Sequence, residues 1–283
     1  MTTLFIDNLT VLDVARLDQA RGLVGESWRV DVALNGTLDE QGMVLDFGAT
    51  KRIVKQVIDL HFDHKLLIPA GYDGCRFHMH EDRAELEFQP VTGPAIRCSC
   101  PATAVTTITA KIVDPDTVGV AIAARLKPLL PDTISALRLA LRPDTDPGTY
   151  FHYTHGLSQH AGNCRRIAHG HRSRIEILRN GQPDPELEAY WAERWRDIYI
   201  GTRRDLRTEF HRDGEPCLRF GYSTSEGEFE LELPAARSYL IDTDSTVENL
   251  ARHVAAILKR KQPDAVFQVR VFEGVDKGAI CEA

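Results

Sequence analysis

Between His155 and His171 the chain reads HGLSQHAGNCRRIAHGH, with His155, His160, His169, His171 and Cys164 inside seventeen positions. His169 and His171 flank one glycine, and Arg172 to Ile177 then alternate polar and apolar, the pattern of a half-buried strand. Residues i and i+2 of a strand share a face, so both imidazoles point to one place. A third histidine from a neighbouring strand, most simply His155 with His160 as the alternative, completes three nitrogen ligands. Three protein ligands with one open position are the arrangement of a catalytic zinc. Cys164 is open to three readings: a fourth ligand, a free buried thiol, or a nucleophile or base. In the first half, Asp63 and His64 sit side by side at a helix end. A carboxylate beside an imidazole can orient it and raise its basicity, although two polar residues closing a helix need no such role.

The elements that must position these groups follow from pattern. Leu4 to Val14 reads as a strand, and Trp28 to Leu34 alternates and ends at Asn35-Gly36, a hairpin or strand-end signal. Asp46 can cap a helix whose apolar face is Ile53, Val54, Val57 and Ile58. Arg76 to Cys100 reads as one or two hairpins. A helix follows Asp116, and a strand runs from Ile134 to Leu141. The turn formers from Arg142 to Gly148 mark a boundary, dividing the chain into 1–146 and 147–283. Beyond it, Asp184-Pro185 opens a helix with Leu187, Trp191, Trp195 and Ile198 inward. Ser245 and Glu248 have capping-box spacing before Leu250, Val254, Ile257 and Leu258, and Phe267 to Glu273 is the last strand.

The chain has 283 residues, enough for two domains. Its net charge of −7 argues against nucleic acid and anionic membranes as partners. No apolar run reaches spanning length, the start lacks a signal-peptide pattern, and six cysteines are too few for a disulfide framework at this size. The expected location is cytoplasmic.

The second half repeats the first. SWRVDVALNG (27–36) aligns with RSRIEILRNG (172–181). Arg76-Phe77 aligns with Arg219-Phe220, and Glu85 to Glu87 with Glu230 to Glu232. In this alignment Val24 and Glu26 stand where His169 and His171 do, and Ala15 where His155 does. The Asp63-His64 pair falls opposite a stretch near Arg203-Arg204-Asp205. Each copy lacks what the other has, as expected if one site draws on both.

Several ordered motifs resemble the 6-pyruvoyltetrahydropterin synthase / 6-carboxytetrahydropterin synthase family. They are the aromatic strand ending in His155, the Cys-then-His-Gly-His run, Gly-Met-Val-x-Asp-Phe before a helix and Asp-His-Lys-x-Leu after it. Ser-Thr-Val-Glu-Asn (245–249) and Val-x-Val-Phe-Glu (269–273) complete the set, so the resemblance spans nearly the whole chain as two family units in tandem. It implies an α+β fold, a tandem duplicated T-fold in which each unit is an antiparallel sheet with two helices on one face. It further implies Zn2+ on His155, His169 and His171, Cys164 as proton-abstracting thiolate, and Asp63 and His64 as its acid/base partners. Glu273 would hold the pterin, with Thr246 nearby. The implied substrate is a small-molecule pterin triphosphate, 7,8-dihydroneopterin triphosphate. The first expectation is a lyase giving 6-carboxy-5,6,7,8-tetrahydropterin in the queuosine route. The second is the pyruvoyl product with release of triphosphate, and the third a non-catalytic zinc- or pterin-binding scaffold. Family units assemble as six, so a tandem chain is expected to form a homo-oligomer, a trimer. Arg165 and Arg166 are candidates for contacting the triphosphate.

Overall fold

The alternating run Trp28–Leu34 lies inside a longer strand. β1 (Thr2–Asp18) and β2 (Gly22–Gly36) form one antiparallel ribbon, with Asp13 opposite Ser27 and Arg16 opposite Val24. The structure, a computed structural model, describes residues 1–283. As expected, α1 (Phe47–His61) begins where the Asp46 side chain accepts from the Ala49 N–H, and Val54, Val57 and Ile58 face inward. The first half continues with β3 (Leu66–Pro69), β4 (Cys75–Met79), β5 (Arg83–Phe88), β6 (Ile96–Pro101), β7 (Val105–Ile108), α2 (Pro115–Leu126) and β8 (Ile134–Pro143).

The second half repeats this order. β9 (Thr149–His155) and β10 (His169–Arg179) pair antiparallel, and β11 (Gln182–Pro183) turns back on β10. Then follow α3 (Pro185–Arg194), β12 (Ile198–Thr202), β13 (Leu206–Arg212), β14 (Glu215–Thr224), β15 (Gly227–Pro234), β16 (Ser238–Ile241), α4 (Val247–Lys261), β17 (Phe267–Phe272) and β18 (Gly278–Glu282). Helix α3 stops at Arg194 with Trp195 as its C-cap, so Ile198, expected on its inward stripe, instead opens β12.

The strand order is β7-β3-β1-β2-β8 in one sheet and β16-β12-β9-β10-β17-β18 in the other, the same plan element by element with β18 and the short β11 on β10 added. The chain is therefore α+β, with the sheet-and-two-helix plan of the T-fold in each half. The long strands are antiparallel; the short β3 and β7, like β12 and β16, add parallel pairs at one side. Leu12, Val14, Val30 and Leu67 pack under α1 and α2, and Ile175, Ile200, Val269 and Trp195 under α3 and α4.

A third sheet, β13-β14-β15-β6-β5-β4, takes three strands from each half. It closes over a core that includes Phe88, Cys98, Phe220 and Leu231. At its centre β6 and β15 are antiparallel, with Cys98 opposite Leu231. By order, β4 corresponds to β13, β5 to β14 and β6 to β15. The alignment of Arg76-Phe77 with Arg219-Phe220, and of Glu85–Glu87 with Glu230–Glu232, is thus one strand out of step. Charged alternating strands resemble one another, and sequence similarity there reflects the shared alternation rather than position. No helix is long and apolar enough to cross a membrane.

The halves meet closely at two glycines that the 27/172 alignment makes equivalent, Gly25 and Gly170. A Cβ on Gly25 would lie 2.0 Å from the Tyr153 carbonyl oxygen and 2.4 Å from the His171 nitrogen, while one on Gly170 would lie 2.8 Å from the Gly25 Cα. These neighbours are backbone and cannot swing away. Gly25→Ala should therefore cost at least the roughly 1–3 kcal/mol typical of overpacking, read as a lower urea midpoint. An unchanged midpoint would show that the two sheets slide apart freely there.

Candidate metal centre and its partners

His155 ends β9 and lies directly opposite His169, the first residue of β10. His171 is two residues on, so the three rings share one face, as expected from the spacing. All three side chains are fully buried, and all three Nε2 atoms lack a hydrogen-bond partner. Their ring nitrogens come within 4.8 Å of one another.

Two of the three Nδ1 atoms are held from behind. His155 Nδ1 is 3.0 Å from the Ser245 carbonyl oxygen, and His169 Nδ1 is 2.9 Å from that of Arg166. Donating to a carbonyl fixes the proton on Nδ1 and leaves the Nε2 lone pair facing the centre. His171 Nδ1 lies 3.2 Å from Asp13 Oδ1, off the ideal hydrogen-bond direction. Burial, reinforced by the neighbouring imidazoles, pushes His155 and His169 well below the usual histidine range. Both are thus neutral, the form that ligates metal. Buried polar atoms without partners are rare and costly. Three converging imidazole lone pairs fit a tetrahedral zinc with one free position.

The first half reaches into this centre within the same chain. His64 Nδ1 is 2.6 Å from Asp63 Oδ2, and the His64 ring centroid is 5.3 Å from that of His169. Ligand atoms of His64, Cys164 and His169 also lie within 4.8 Å of one another. Burial acts to lower the pKa of His64, but hydrogen bonds with Asp63 and Cys164 outweigh it and raise it to about 10. His64 has a left-handed backbone, φ +53°, a region that non-glycine residues seldom enter. Its N–H donates to the Asp13 carbonyl at 2.7 Å, and the Asp13 N–H donates to Asp63 Oδ1 at 3.2 Å. The turn after α1 is thereby stitched to β1.

Glu273 follows β17, with Oε1 3.9 Å from His171 Nε2. Thr246 is the N-cap of α4, accepting weakly from the Asn249 N–H at 3.4 Å. The expected capping role of Ser245 is therefore filled one residue later, and Ser245 turns inward to His155 instead. His160 is exposed and accepts from the Gly162 N–H, so His155 and not His160 belongs to the converging set. Cys164 sits on a short turn near His64 and His169, outside the three-histidine group. Arg165 and Arg166 are both engaged by Glu226 and are not free cations.

Sequence reasoning missed Asp13, Ser245 and Glu226. Asp13 is buried, and its carboxylate takes a 2.5 Å hydrogen bond from Ser27 Oγ and faces His171 and Lys277 at 3.2 Å each. Burial works to raise its pKa; His171, Lys277 and Ser27 outweigh that and hold it well below the usual carboxylate range. The available signal was an aspartate inside the apolar run Leu12 to Ala15.

Strand registers correct the comparison of the two halves. Arg16 pairs with Val24 as His155 pairs with His169, so Arg16, not Ala15, occupies the position of His155. Asp197, left-handed like His64 at φ +54°, occupies that of His64, well before Arg203. One residue of slip in a strand moves a side chain to the other face, and sequence similarity alone does not fix that register between the two halves. The equivalent location in the first half is filled by ion pairs. Arg16 Nη2 is 3.0 Å from Glu26 Oε1, and Arg21 Nη2 is 2.5 Å from Asp197 Oδ1. Guanidinium groups exclude a cation, so metal analysis of the zinc-loaded chain should return one ion per chain; two would contradict this asymmetry.

Residues 13–114 match the family model described as 6-pyruvoyl tetrahydropterin synthase. A curated Archaeoglobus fulgidus protein, provisionally named 6-carboxy-5,6,7,8-tetrahydropterin synthase, is 41% identical over 56 residues, covering 18% of this chain and 48% of that protein. The matched segment thus spans about half the length of that relative. Among solved structures, Plasmodium falciparum 6-pyruvoyl tetrahydropterin synthase is 18% identical, covers 50% of this chain and 90% of that one, and has a TM-score of 0.40. The Plasmodium vivax protein is 20% identical, with 50% and 97% coverage and a TM-score of 0.39. The resemblance to the 6-pyruvoyl/6-carboxytetrahydropterin synthase family seen in the motifs is thus also found by comparison with known sequences.

Proposed function

From that family resemblance we propose that the chain is a zinc-dependent lyase acting on 7,8-dihydroneopterin triphosphate to give 6-carboxy-5,6,7,8-tetrahydropterin. The name of the Archaeoglobus fulgidus relative favours the carboxy product over the pyruvoyl one. The observation that carries the reading is the meeting of three partnerless Nε2 atoms with Cys164 and the Asp63–His64 pair. We read residues 1–146 and 147–283 as the two units, the second holding the metal ligands and the first lending the imidazole–carboxylate pair.

Zinc held by His155, His169 and His171 would supply Lewis acidity toward the side-chain hydroxyls of the substrate. Cys164 acts as the base that takes a proton from the substrate side chain. His64, protonated and oriented by Asp63, returns a proton to the ring side. Glu273 accepts the two adjacent N–H groups of the 2-amino-4-oxo edge in a bidentate pair, and Thr246 lies along the chain from Ser245, behind His155. The burial of His155, His169 and His171 lowers the local dielectric and strengthens each of these polar interactions.

Incubation with 7,8-dihydroneopterin triphosphate tests this. Acetaldehyde, free triphosphate and a carboxy pterin are expected. A pyruvoyl pterin and free triphosphate without acetaldehyde select the second reading, and unchanged substrate the non-catalytic scaffold. Because one chain contains both halves of the site, assembly into the proposed trimer is not needed to bring Asp63 and Cys164 together. Sedimentation equilibrium tests the trimer, and a cytoplasmic location remains part of the proposal.

A further inference from the structure

Glu226 lies in the turn between β14 and β15, in the third sheet. Its carboxylate gathers donors from both halves. Oε1 accepts from Arg166 Nη2 at 2.9 Å, Arg166 Nε at 3.1 Å and Thr103 Oγ1 at 2.8 Å; Oε2 accepts from Arg165 Nε at 3.1 Å. The same hairpin adds Ser225 Oγ, accepting from Arg165 Nη1 at 2.8 Å, and Tyr222 Oη, donating to the Arg165 carbonyl at 2.8 Å. The tyrosine comes so close that a Cβ on Gly156 would lie 2.0 Å from its oxygen.

Arg166 is the link from this hairpin to the metal centre. Its carbonyl receives the His169 Nδ1 proton, and its guanidinium points Nη1 at the carbonyl oxygens of Asp63 and His64, at 3.4 and 3.5 Å. The side chains of Arg166 and Glu226 are only 8% and 12% exposed, so each charge depends on the other. One residue therefore touches a metal ligand's outer nitrogen and the backbone of the acid/base pair, and one carboxylate fixes that residue in place.

We propose that Glu226 is a positioning residue, holding Arg166 so that His169, Cys164 and the Asp63–His64 pair keep their mutual geometry. The third sheet is then a brace for the site. For turnover this rests on the lyase reading; for metal binding it does not. Loss of an outer partner of a ligating histidine typically weakens metal affinity or activity by about 10–100-fold.

The test uses the full chain carrying Glu226→Gln and, separately, Arg166→Lys, which keeps the carbonyl and the charge but loses the forked contact. Zinc affinity is measured by competition with a chelator, kcat and KM on the pterin triphosphate, and folding by circular dichroism. The carbonyl is shifted rather than lost in both variants, so the expected result is a zinc affinity lower by about threefold to tenfold, at or below the lower end of the range for outright loss, with kcat falling and KM within threefold. If one variant fails to fold, the other decides. A folded variant with parental zinc affinity and parental kcat overturns the proposal. Weakened zinc binding in a chain whose parent gives no product leaves the brace standing and removes the lyase.

Discussion

Replacing Cys164 by alanine is expected to leave one zinc per chain in place while lowering turnover by about 10²–10⁴-fold, the usual range for loss of a general base. The geometry separates the two readouts. Cys164 groups with His64 and His169, whereas the converging nitrogens belong to His155, His169 and His171. A thiol that touches only one member of the histidine set can be removed without opening the set. The turn carrying it is held by other contacts: the Leu157 N–H donates to the Cys164 carbonyl at 2.9 Å, and Arg165 and Arg166 are tied to Glu226. Loss of the metal together with the thiol would instead make Cys164 a ligand. Metal analysis and a single-turnover assay on the same preparation distinguish these outcomes.

The pattern of the sequence was sufficient for some of this and not for the rest. The His-x-His spacing is a local fact of strand geometry, so the shared face of His169 and His171 was readable before any fold was known. The placement of His155 beside them was readable too, because an aromatic strand adjacent in sequence is the simplest antiparallel partner. The role of Asp13 was not. Nothing near Asp13 in sequence signals a histidine, and the two meet across the sheets where Gly25 and Gly170 pack backbone against backbone. Glu226 was hidden for a similar reason, since its partners Arg165, Arg166 and Thr103 come from two distant turns. The register of the repeat was legible where the motif Asn-Gly pins it, at 35–36 and 180–181. It was lost in β4 to β6 and β13 to β15, where alternating charge fits several alignments equally well.

Asp63→Asn should lower turnover by about 10²-fold or more and also change how the metal-free protein responds to pH. The carboxylate, 2.6 Å from His64 Nδ1, is the first of the two partners that raise this histidine to about 10 against the opposing effect of burial. A histidine whose folded pKa lies above its ordinary value of 6.5 stabilises the fold fully below that value and loses the contribution as pH rises through about 10. The metal-free parent should therefore exceed Asp63→Asn in stability at pH 6, with the gap closing as pH rises toward 10. Metal-free protein is required because a cation beside His169 would oppose the charge on His64. In the zinc-loaded enzyme the same substitution should move the alkaline limb of the kcat profile to lower pH, since an amide cannot hold the imidazolium. Chemical denaturation at several pH values reads the first effect and steady-state kinetics the second. Parallel stability curves and an unmoved alkaline limb would mean that His64 is oriented by something other than Asp63 and that the proton is returned by another group.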